Sequence, residues 1–114
     1  MPFINSKLSI ALTEEKETLI KQKLGELISL IPGKTEQWLM VGFEDNYNIF
    51  FGGEKSHNIA FVEVKLYGSA PKNNKDKMVE AICALYESEL SIPKSNIFVT
   101  FQEIPDWGWN GRLL

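Results

Sequence analysis

Apolar positions along this chain switch between two periods, and the switches divide it into two similar halves. Residues 2–10 alternate in the manner of a strand, reading Pro-Phe-Ile-Asn-Ser-Lys-Leu-Ser-Ile. Thr13 then stands as an N-cap, followed by Glu14 and Glu15, whose charge suits the positive end of a helix. Ile20, Leu24, Leu27, Ile28 and Ile31 follow at helical spacing, which predicts a helix of about 18 residues closed by Pro32-Gly33. Strands are predicted at Trp38 to Phe43 and at Asn48 to Phe51, the second closed by Gly52-Gly53. The second half repeats the order. Asn58 to Tyr67 reads as a strand and Gly68 to Asn74 as a turn-rich connection. Met78, Ile82, Leu85 and Tyr86 mark a second helix ending before Pro93, and Ile97 to Gln102 reads as a last long strand.

The halves also match in detail, since Ile31-Pro32-Gly33-Lys34-Thr35 leads into one strand and Ile92-Pro93-Lys94-Ser95 into another. The expected fold is therefore α+β: a tandem β-α-β repeat, residues 1–53 and 54–114, in one domain spanning 1–114. Its four-stranded mixed sheet would carry both amphipathic helices on one face. Runs such as Ile59-Ala60-Phe61-Val62 and Ile97-Phe98-Val99-Thr100-Phe101 place apolar residues on both strand faces. The second face is then expected to be covered by other subunits, most simply in a closed ring.

Composition narrows the function classes. A chain of 114 residues, 44% hydrophobic and with a net charge of −3, suits one small core. The lysines are interspersed with acidic residues, which argues against a nucleic-acid partner. No apolar run approaches 18 residues and no charged leader precedes one, so neither a membrane span nor a secretory signal is expected, and the default location is cytoplasmic. Cys83 stands alone, so no disulfide, Cys-x-x-Cys pair or metal site is expected, and it reads as a core residue of the second helix. His57, the only histidine, falls in a polar turn and reads as a solvated loop residue. No cofactor is implied.

Six short features, in order, carry a resemblance over nearly the whole chain. They are Met1-Pro2 before a strand, Pro32-Gly33-Lys34, Phe51-Gly52-Gly53, Tyr67-Gly68, Ile92-Pro93 and Gly108-Trp109-Asn110-Gly111. The sequence resembles the tautomerase superfamily, in particular its macrophage migration inhibitory factor branch. That resemblance implies a homotrimer with three active sites at subunit boundaries. It also implies enol–keto tautomerisation of phenylpyruvate-like 2-oxo acids by an N-terminal proline, which is Pro2 once Met1 is trimmed. It further implies that the backbone N–H of Tyr67 meets the substrate carboxylate. At two pocket positions the chain departs from the pattern: Phe98 stands where an aromatic hydroxyl is usual and Thr100 where an amide is usual. Leu114 stands where an aromatic commonly closes the pocket.

The chemistry has its own logic. A base that moves a proton between carbon and oxygen must be unprotonated at working pH. Burial lowers an amine's pKa, and a neighbouring cation lowers it further. Phe3, Ile4, Trp38, Trp107 and Trp109 could supply the apolar surroundings and Lys34 the charge. Lys34 could also pair with a carboxylate, or simply favour a helix C-terminus. Trp107 and Trp109 could equally anchor a subunit contact. Arg112 could clamp a carboxylate or lie in an exposed tail. Two other function classes remain open: a cytokine-like signalling protein, and a non-catalytic 2-oxo-acid-binding module on the same fold.

Overall fold

A computed structural model describes residues 1–55 and 58–114. The tandem β-α-β architecture is present. In chain order the main elements are β1 (Pro2–Leu8), α1 (Glu14–Leu27), β2 (Met40–Glu44), β3 (Ala60–Tyr67), α2 (Lys72–Leu90) and β4 (Ile97–Ile104). The sheet order is β2-β1-β3-β4. The two β-α-β pairs, β1 with β2 and β3 with β4, are parallel, and the halves join through the antiparallel pair β1 with β3.

Local chemistry explains the boundaries. The Thr13 hydroxyl accepts from the Lys16 N–H at 3.1 Å, and Glu14, Glu15 and Glu17 occupy the first turn of α1. The α-helix stops at Leu27 and tightens into a 3₁₀ turn over Ile28–Leu30, so the predicted length divides between two helix types. Trp38 closes a second 3₁₀ turn, Glu36–Trp38, and β2 begins only at Met40. The predicted strand over Asn48 to Phe51 is absent. Within the chain β1 ends at Leu8, leaving no ladder beyond Lys7↔Glu44 for it to join. The Asn46 and Tyr47 N–H groups bond the carbonyls of Ile10 and Leu8 instead, and Phe51 and Glu54 form an isolated bridge around Gly52-Gly53. A hairpin absent from the sequence-based expectation, β5 (Gly108–Trp109) with β6 (Arg112–Leu113), turns on Asn110 and Gly111 with φ of 53° and 86°. Asn-Gly is the favoured pair for two successive left-handed residues.

Alternate residues of the central strands point to the helices. Pro2, Ile4, Ser6 and Leu8 of β1 and Ala60, Val62, Val64 and Leu66 of β3 are all buried, and the aliphatic ones among them other than Pro2 pack with Ile20, Leu24, Ile28, Met78, Ile82 and Tyr86. Cys83 is buried in α2, where burial raises its thiol pKa. Ser6 is polar but fully buried, and its hydroxyl bonds that of Tyr86 at 2.5 Å; burial pushes the phenol up to about 12. Tyr86→Phe should therefore cost about 1–3 kcal/mol, because it strands the Ser6 hydroxyl in the core. The double variant Ser6→Ala/Tyr86→Phe should recover most of that. Thermal unfolding of the three proteins checks this, and a double variant no better than Tyr86→Phe would refute it.

The opposite face differs from the expectation of an apolar surface. Its middle is polar: Asn5 donates to Glu44 at 2.7 Å and Lys7 pairs with Glu63 at 3.1 Å. Large apolar residues occupy its ends, with Phe3 and Met40 at one and Phe61 and Phe98 at the other. Strand alternation sends Phe61 and Phe98 to this face and their apolar neighbours to the core, so a continuous apolar run overstates how greasy either face is.

Candidate functional site

The end of the sheet at which β1 begins holds a cavity of about 430 Å³. Met1, Pro2 and Phe3 form its floor. Gln37, Trp38, Leu39 and Met40 form one wall, and Trp107, Gly108 and Trp109 the other. The tight 3₁₀ turn before β2 carries Trp38 over the sheet edge, where its ring meets that of Trp109 edge to face, centroids 5.4 Å apart. The terminal hairpin holds Trp109 there, and the Leu114 N–H bonds the Trp107 carbonyl at 3.0 Å.

Lys34, just past Gly33 in the loop that follows α1, reaches back to the same corner. Its ammonium donates to the Tyr67 carbonyl at 2.8 Å and lies 5.9 Å from the centre of the Tyr67 ring. The Tyr67 N–H donates to the Met1 carbonyl at 3.1 Å, which extends the β1–β3 ladder by one residue. The Met1 amine is thus held against Lys34. Burial first, then the lysine's charge and hydrogen bond, lower its pKa from 8.0 to about 6. An apolar cavity, an amine largely free of its proton at neutral pH and a cation beside it can together accept a proton from a bound anion.

Pro2, Lys34, Trp38, Tyr67 and Trp109 therefore converge on one corner. Leu114 bonds to a cavity wall but is itself about half exposed and does not line the cavity. Arg112 is exposed opposite Trp109 in the hairpin. Phe98 and Thr100 lie elsewhere in the same chain. Phe98 pairs with Phe61, which pairs with Lys7, five residues along β1 from Pro2 and so roughly 17 Å away at about 3.3 Å per residue. Phe98 instead borders a second cavity of about 400 Å³ with Ile49, Phe50, Phe51 and Phe61. Its ring lies 5.3 Å from that of Phe51 and 6.3 Å from that of Phe61.

Sequence reasoning left Gln37, Leu39 and Met40 out of the cavity, although all three adjoin Trp38 in the stretch that leads from Lys34 into β2. Among the described residues no group of three or more His, Cys, Asp or Glu is placed to hold a metal ion, and no helix is long and apolar enough to cross a membrane. His57 lies outside the described residues.

Comparison with solved structures places the fold among well-defined relatives. The structure of Leishmania major MIF2 superposes with a TM-score of 0.91 at 28% identity, covering 100% of this chain and 97% of that one. A macrophage migration inhibitory factor homologue from Prochlorococcus marinus gives 0.81 at 28% identity, covering 97% of each chain. A protein named Pt0534, solved after inactivation by 2-oxo-3-pentynoate, gives 0.85 at 13% identity over 96% of this chain and 93% of its own, a likeness of fold alone. A comparison with curated protein sequences finds no match. The family model for macrophage migration inhibitory factor (MIF) matches residues 1–114, and with the same β-α-β repeat in the structure, the chain belongs to that family.

Proposed function

We propose that this chain, once Met1 is removed, is a tautomerase acting on phenylpyruvate-like 2-oxo acids, with the Pro2 amine as general base and acid. The observation that carries the reading is the amine site itself: burial and Lys34 already lower the amine at this corner to about 6. Pro2 is buried one residue further in, so trimming would expose a secondary amine to the same two influences.

In the keto-to-enol direction the free Pro2 nitrogen takes a proton from C3 of the substrate. The C–H electron pair forms the C2=C3 bond and the carbonyl oxygen takes up a proton from solvent. The reverse reaction returns the proton from the protonated amine to C3. Lys34 pairs with the substrate carboxylate. Loss of Met1 also frees the Tyr67 N–H as a second donor to it, while the aryl group lies against Trp38 and Trp109. The test is keto–enol conversion of phenylpyruvate by protein whose N-terminal Pro2 is verified by intact mass. Binding without proton exchange would sink the catalytic reading in favour of a binding module, and extracellular receptor binding indifferent to Pro2→Gly would favour a signalling role.

The working unit in this proposal is a homotrimer. Exposed apolar residues gather at opposite ends of the sheet, with Met40 72% exposed at the Pro2 end and Phe50 60% and Phe98 55% at the other. Among the described residues, the outer edges of β2 and β4 pair with no further strand. Head-to-tail contact between unlike ends closes into a ring when the rotation per copy divides the circle, and a three-membered ring would bring Phe98 and Thr100 of one copy to the Pro2 cavity of the next. Phe50→Glu should therefore reduce a three-chain mass to one chain in sedimentation at micromolar concentration and remove activity, although Phe50 does not line the Pro2 cavity of its own chain. A fully active single chain would refute the trimer.

A further inference from the structure

The Lys34 ammonium has more holding it than one hydrogen bond. A lysine side chain has four rotatable bonds and a strongly hydrated head, so a single acceptor leaves it free to swing into water. Here the Tyr67 carbonyl takes one N–H at 2.8 Å and the face of the same residue's ring lies 5.9 Å away. Against that ring stands the Trp107 indole, its centroid 6.3 Å from that of Tyr67 with the planes tilted by 43°. The Trp107 backbone is in turn tied by the Leu114 N–H. All three side chains are half-buried, where attraction between a cation and an aromatic face is less diluted by water than at an open surface.

We infer that the side chain of Tyr67, braced by Trp107, is a positioning residue that sets the specificity of this site for carboxylates by holding the Lys34 ammonium at the cavity mouth. This rests on the reading of Lys34 as the carboxylate partner. The backbone N–H of residue 67 can serve a carboxylate whatever the side chain; the ring adds a platform that only an aromatic residue supplies. Besides the Tyr67 carbonyl and ring, the ammonium also meets the Met1 amine through a hydrogen bond, so it faces the amine end of β1. A substrate carboxylate would sit there once Met1 is gone. The phenol hydroxyl has no part in this, since the attraction comes from the ring face.

The experiment compares Tyr67→Leu and Tyr67→Phe in the trimmed protein, using phenylpyruvate turnover and, by indole fluorescence, binding of the unreactive acid 3-phenylpropanoate and of its uncharged methyl ester. Tyr67→Leu should raise KM and the acid's Kd about three- to tenfold, with the loss falling on KM rather than kcat and with ester binding unaltered. Tyr67→Phe should restore wild-type values, and Trp107→Leu should give a smaller loss of the same kind. Equal acid binding in wild type and Tyr67→Leu overturns the inference. So does failure of Tyr67→Phe to rescue, and so does an ester weakened as much as the acid, which marks general collapse of the pocket. Wild type that binds the acid without turning over phenylpyruvate overturns the tautomerase reading instead, and the acid-to-ester ratio still decides the role of Tyr67.

Discussion

Replacing Pro2 by glycine should lower phenylpyruvate turnover by the trimmed protein at least tenfold, about 1.4 kcal/mol of transition-state stabilisation, and leaving Met1 in place should lower it further. The two changes act differently. Glycine keeps an amine at the cavity floor, but a primary one on a backbone that has lost the fixed φ of the proline ring, so orientation suffers more than availability. Retained Met1 turns the Pro2 nitrogen into an amide with no proton to exchange. It also moves the α-amine out by one residue and, through its carbonyl, occupies the Tyr67 N–H at 3.1 Å. The Met1-bearing form should therefore bind 3-phenylpropanoate at least about tenfold more weakly than the trimmed form, the effect of losing one good donor to a charged group. The value of a lowered amine is easily scaled. At pH 7 a group with a pKa of 8 is about one-tenth free base, whereas one at about 6 is about nine-tenths free base, close to a tenfold gain before any orientation is counted. Equal turnover by wild type and Pro2→Gly would remove Pro2 from the mechanism. Full turnover by the Met1-bearing form would sink the requirement for trimming.

Period and punctuation made most of the fold legible. The helices announced themselves through Ile20, Leu24 and Ile28 and through Met78, Ile82 and Tyr86, all of which are buried in the structure. The repeat of Ile-Pro before two strands announced the parallel pairs. What misled was composition without a partner. Asn48 to Phe51 has strand-forming residues, but a strand needs a ladder, and β1 has ended by then. Likewise Phe61 and Phe98 read as an apolar second face, yet Asn5, Glu44, Lys7 and Glu63 join in a polar network across its middle, which only the register reveals. The terminal hairpin was readable from Asn110-Gly111, where two successive residues with positive φ are needed. At the site, Lys34, Trp38, Tyr67 and Trp109 were legible as residue types near turns. Their convergence on one corner depends on Lys34 folding back to a carbonyl 33 residues away, a contact that no local pattern encodes.

Lys34→Ala should raise KM for phenylpyruvate by about 10- to 100-fold, the loss of a charge-assisted hydrogen bond worth about 1.5–3 kcal/mol. It should also shift the acid limb of the rate profile. The two effects have separate origins in the same ammonium. Its bond to the substrate carboxylate exists before any proton moves, so its loss falls on KM more than on kcat. Its charge acts on the amine whether or not substrate is present. Burial contributes most to lowering the Met1 amine to about 6, and Lys34, by charge and hydrogen bond, supplies the rest. A neighbouring cation disfavours the protonated amine, so removing it must raise the amine's pKa toward the ordinary 8.0 without reaching it, because burial remains. The limb on which kcat/KM rises with pH should therefore move to higher pH in Lys34→Ala, and the variant should recover part of its deficit when assayed under alkaline conditions. Lys34→Arg separates the roles, since it keeps the charge and the carboxylate contact while changing the shape of the group held over Tyr67. It should leave the acid limb close to wild type. A Lys34→Ala profile that falls in amplitude with no shift of its acid limb would show that the lysine binds without tuning. A shift with KM unchanged would show that it tunes without binding.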